Sequence, residues 1–103
     1  MEILEETYEE LKRGNLVSSH CEFSTRWLNK SRRYMSMIRS SGRDPSIDAL
    51  ARLAVNLKHY TDTCRESRYG ELRTKADWLY PLAQKVWTAF YKQARSETNS
   101  IIL

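Results

Sequence analysis

The chain has little of what interrupts or crosslinks a polypeptide: three glycines, two prolines and two cysteines in 103 residues. Gly14, Gly42 and Gly70 are isolated, so there is no glycine-rich loop to cradle a phosphate. Cys21 and Cys64 lie far apart and in no CxxC spacing, which suits reduced thiols in a cytoplasmic protein rather than a disulfide framework. No apolar run approaches the roughly 18 residues of a membrane span, and the first residues, Met-Glu-Ile-Leu-Glu-Glu, are acidic where a signal peptide is basic. His20 and His59 have no carboxylate or cysteine at ligand spacing beyond a lone Cys64, so no metal or cofactor is expected. The paired glutamates Glu5–Glu9 and Glu6–Glu10 read as a solvated face, and the chain is not expected to be an enzyme. Internal repeats, low-complexity tracts and long linkers are also missing.

What is present suits one domain with a modest core: 41% hydrophobic and 29% charged residues in a chain of this length. The net charge of +4 is unevenly placed. Residues 1–14 carry five glutamates against Lys12 and Arg13, whereas residues 15–45 carry Lys30 and five arginines against Glu22 and Asp44. A basic block beside an acidic first segment is the distribution of a nucleic-acid footprint, and equally of a solvated surface.

Hydrophobic spacing predicts an all-α chain. Leu4, Tyr8 and Leu11 define a first helix, for which Gly14 supplies a left-handed stop. Ser19 and Glu22 read as a capping box for a second helix to about Leu28, and Asn29-Lys30 makes the turn. Ser31 caps a third helix that Gly42 releases. Pro45-Ser46 opens a fourth, whose face is Ile47, Leu50, Leu53, Ala54 and Leu57, extendable to about Ser67. Gly70 is a break, after which Leu72, Ala76, Leu79, Ala83, Val86, Phe90 and Ala94 continue a periodic run to about Arg95, with a kink expected at Pro81.

The third of these helices divides by phase into two faces. Met35 and Ile38 point one way; Arg33, Ser36, Met37 and Ser40 point the other, with Arg32 and Arg39 at the divide. A short helix with an apolar anchor and an arginine-bearing outer face is what major-groove reading requires, although an ordinary amphipathic surface helix looks the same.

With Ser19-His20-Cys21-Glu22-Phe23-Ser24, Ser31 through Ile38, and Asp44 through Leu57 in place, the chain resembles the helix-turn-helix domain of lambda-repressor, Cro and Xre-like regulators. The resemblance covers about half the chain; the turn between Phe23 and Ser31 has one residue more than the family's, and Gly42 falls one position late. It implies a small cytoplasmic, nucleoid-associated transcriptional regulator that binds double-stranded DNA as a homodimer and reads the major groove with residues 31–40. Base-reading positions are then Arg32, Arg33, Ser36 and Met37; phosphate-contacting positions are Ser19, His20, Lys30, Arg39 and Arg43. The whole chain also resembles a small bacterial family of unknown function. Expected organisation is a helix-turn-helix core at 1–58, a helical extension at 59–95 that packs on it or dimerises, and a flexible tail at 96–103. Trp78, Leu79, Val86, Trp87, Phe90 and Tyr91 form the anchor set for that interface, for which core packing is the commoner explanation. The alternative is an interaction factor of antiactivator, phage or mobile-element type that grips a protein with its aromatic C-terminal helix.

Overall fold

The computed structural model describes the backbone of residues 2–102 and the side chains of residues 2–96. The chain is all-helical over these residues: α1 (Glu2–Arg13), α2 (His20–Glu22) running directly into a π-helical turn (Phe23–Trp27), α3 (Tyr34–Ser41), α4 (Ile47–Arg65) and α5 (Gly70–Ile102). None of the helices described is long and apolar enough to cross a membrane.

Each boundary has a local cause. Leu16 N–H donates to Leu11 C=O at 2.8 Å across the end of α1, and the residue that adopts the left-handed conformation there is Asn15 (φ 61°), not Gly14 as the sequence suggests. Gly14 has a different reason to lack a side chain: a Cβ would lie 2.4 Å from the indole of Trp78. Asn29 (φ 55°) and Gly42 (φ 67°) take the left-handed positions predicted for them. Ser19 accepts from Glu22 N–H at 3.1 Å, but the Glu22 carboxylate accepts from Ser18 Oγ, so the expected box is half formed. Ser46 caps α4 by accepting from Ala49 N–H.

The start of α3 differs from the expectation. Ser31 contributes its carbonyl, to Tyr34 N–H, and the helix begins two residues later than a Ser31 cap implies, with Arg33 at the cap position. The capping side chain comes from the preceding helix: buried Ser24 Oγ accepts from Met35 N–H at 3.2 Å and donates to His20 C=O at 2.8 Å. The π turn brings Ser24 there. Leu28 N–H reaches back five residues to Phe23 C=O, and Phe23, Ser24, Trp27 and Leu28 all face inward.

One core joins all the helices. Leu4, Tyr8 and Leu11 of α1 meet Phe23, Trp27, Met35 and Ile38, then Leu50, Leu53 and Leu57 of α4, then Ala76, Leu79, Leu82 and Val86 of α5. The boundary expected near residue 58 falls inside α4, and α5 packs along α4 as part of the same core. The helix is continuous through Pro81 and runs to Ile102; the side chains of residues 97–103, most of the expected tail, and the backbone of Leu103 lie outside the described residues. At 33 residues α5 is about 50 Å long, which matches the 49 Å long axis of the molecule.

Candidate nucleic-acid interface

The buried side of α3 is Tyr34, Met35 and Ile38, which leaves Ser36, Met37, Arg39 and Ser40 outward. Met37 is 54% exposed, unusual for a methionine with a core within reach. Arg32 and Arg33 are exposed in the turn that enters α3, not on the helix itself, because the helix starts at Tyr34. Arg43 is exposed just past Gly42 at the other end. Among the described residues none of these three arginines has an ion-pair partner.

The remaining positions expected to contact phosphate are engaged inside the chain. Lys30 Nζ pairs with Asp48 in the first turn of α4, and its hydrogen bond, with one from Ser46, holds the Asp48 carboxyl below its ordinary range. Lys30 Nζ also lies 5.8 Å from the Tyr34 ring centroid. Arg39 Nε pairs with Glu5 of α1 at 2.9 Å. His20 is half-buried with its ring 4.1 Å from that of Tyr8, and Ser19 is spent on capping α2. These residues tie α2 and α3 to the rest of the chain, and of the basic residues expected to contact DNA those without an ion pair among the described residues are Arg32, Arg33 and Arg43.

Two residues that set this geometry escaped sequence reasoning. Tyr34 Oη accepts from Ser46 N–H at 3.0 Å and lies 3.3 Å from Ser46 Oγ, tying α3 to the head of α4. Ser24 is the buried cap described above. A serine in phase with Phe23 and Trp27 on a buried face was the available signal; nothing local pairs Lys30 with Asp48, eighteen residues away.

The expected interface set divides. Leu79 and Val86 are fully buried in the core, where they pack within the chain and offer no surface. Trp78 lies half-buried against Gly14, and Phe90 is half-buried with its ring centroid 5.6 Å from that of Trp87. Trp87 and Tyr91 are exposed, joined by Tyr80. Cys64 is buried and its thiol is pushed up by desolvation, while Cys21 is free and exposed. No group of three or more His, Cys, Asp or Glu side chains among the described residues could hold a metal ion.

No curated protein and no solved structure matches the chain. A family model does match, over residues 4–99, and the chain therefore belongs to the family of unknown function DUF6626.

Proposed function

We propose that this protein binds double-stranded DNA, with α2, the π turn and α3 serving as a helix-turn-helix unit and α3 lying in the major groove. The observation that carries the reading is the distribution of free charge: Arg32, Arg33 and Arg43 bracket the exposed Ser36–Met37 face of α3, while neighbouring Lys30 and Arg39 are neutralised within the chain. Arginines at the two ends of a short exposed helix can grip phosphates on both sides of a groove or form bidentate contacts with guanine. Ser36 and Met37 between them offer a hydroxyl and an apolar surface for base edges and thymine methyls. A small transcriptional regulator is the role that goes with this reading.

The test is retention of random genomic DNA fragments at two salt concentrations, by the native chain and by Arg32→Ala/Arg33→Ala. The native chain retains DNA at low salt and loses it steeply as salt rises; the double variant binds more weakly, with the salt slope reduced by about 2. Retention without salt dependence, or an unchanged double variant, would overturn the proposal. Both arginines are exposed and unpaired, so the variant keeps the native melting temperature as its folding control.

A further inference from the structure

The outer face of α5 is apolar in a pattern with its own symmetry. Tyr80, Gln84, Trp87 and Tyr91 are spaced four, three and four residues apart, the same read forwards or backwards. At 100° per residue the four fall within an arc of about 60°. Tyr80, Trp87 and Tyr91 are 46%, 52% and 60% exposed, an unusual display of aromatic surface for a chain with a complete core. Their side chains are already held in place. Gln84 Nε2 donates to Tyr80 Oη at 2.9 Å, the Arg65 guanidinium covers the Tyr80 ring at 5.1 Å, and Trp87 rests on Phe90. Beside the stripe runs a groove of about 330 Å³ between α4 and α5, floored by Ala54 and Ala83.

Charge completes the pattern. Asp77 lies one turn before Tyr80 and Arg95 one turn after Tyr91, on the same side of the helix, both exposed and neither in an ion pair among the described residues. Turning a second copy of α5 end for end sets Tyr80 opposite Tyr91 of the second copy and Gln84 opposite its Trp87, and brings Asp77 to within one residue, about 1.5 Å along the axis, of the level of its Arg95 on the same side of the seam. Each contact then occurs twice, as two-fold symmetry requires. A parallel arrangement would place the two copies of Asp77 level with each other on opposite sides of the seam, and likewise those of Arg95, so that neither meets the opposite charge. The mixed signs around the stripe, Asp62 and Asp77 among Lys58, Arg65 and Arg95, also disfavour an anionic lipid surface as the occupant.

We infer that the protein forms a two-fold symmetric dimer in which the Tyr80–Gln84–Trp87–Tyr91 stripe pairs antiparallel with itself and Asp77 and Arg95 form ion pairs between copies. The contact runs from Asp77 to Arg95, nineteen residues of α5 and about 27 Å. It stands apart from the DNA reading, because it uses no residue of α3 or of the turns flanking it.

The test is sedimentation equilibrium of the full-length chain across a concentration series. The native chain dimerises, and Trp87→Ala raises the dissociation constant at least about tenfold while the monomer still unfolds in one cooperative transition. Asp77→Arg and Arg95→Asp each weaken the dimer, and combining them restores it, since the pair is then exchanged between copies. A chain that stays monomeric, a dimer indifferent to Trp87→Ala, or single charge reversals that are not rescued in combination would each overturn the inference. Salt-dependent DNA retention by a monomeric Trp87→Ala chain keeps the two proposals separable.

Discussion

An alanine Cβ at Gly14 would lie 2.4 Å and 2.6 Å from two ring carbons of Trp78, closer than carbon atoms approach without something moving. The half-buried indole is what yields, and with it goes the contact between the end of α1 and α5. Gly14→Ala therefore destabilises the protein by about 1 kcal/mol, the lower end of the range for overpacking, and shifts the tryptophan emission. In a Trp78→Ala background the same substitution turns neutral or stabilising, because only alanine's better helix propensity is left; a coupling near zero in the double-mutant cycle would refute the contact. Ser24 is a second such position. Its hydroxyl satisfies both Met35 N–H and His20 C=O in the interior, so Ser24→Ala leaves a buried donor without a partner and costs about 1–3 kcal/mol in urea unfolding. The sequence does not announce the role of Gly14, since a glycine after an amphipathic helix reads as a stop, and for Ser24 it offers only the phase that places it beside Phe23 and Trp27.

At the scale of elements, periodicity located every helix, because each buries one face and that face repeats at the helical period. It failed at junctions. The α2–α3 junction departs from expectation because a π turn has the same composition as an α turn and differs only in which carbonyl a given N–H reaches. Its effect is to put Phe23 and Ser24, then Trp27 and Leu28, on the buried side as adjacent pairs. Arg32 and Arg33 end up before the helix instead of on it, which no propensity argument reaches. The junction between α3 and α4 is held by the Lys30–Asp48 pair and the Tyr34–Ser46 bonds. Asp48 has its carboxyl lowered, chiefly by the hydrogen bond from Lys30 and then by that from Ser46. A carboxyl that is more acidic folded than unfolded adds stability above its unfolded value, about 3.9, and loses that contribution as pH falls through the lower folded value. The melting temperature of the native chain therefore drops more steeply below about pH 4 than that of Asp48→Asn, and parallel acid profiles for the two would dismiss the tie.

For the whole molecule, the segment expected to extend a core at 1–58 packs on it within one interior, α5 supplying Leu79, Leu82 and Val86 beside the residues of α1 and α4. Burying each contributes about 1.5–3 kcal/mol, together comparable to the net stability of about 5–15 kcal/mol of a domain this size. A chain ending at Ser67 is therefore expected to lack a cooperative unfolding transition in urea, and a sharp one would return α5 to the status of an appendage. The same integration bears on the hydrogen bond from Gln93 Nε2 to the Pro45 carbonyl, 2.7 Å long. Gln93 sits two residues past Tyr91 of the outward stripe, and Pro45 adjoins Ser46, whose N–H is held by Tyr34 Oη. One polar strut thus runs from the inward face of α5, opposite the aromatic stripe, to the loop that carries Arg43. Gln93→Leu should speed amide exchange at Ser46 while leaving the core of α4 protected. The far side of the helix that carries the aromatic stripe is thus anchored to the arginine loop, and any free energy exchanged between pairing of α5 and occupation of that loop would be lost in Gln93→Leu and would be equal in both directions.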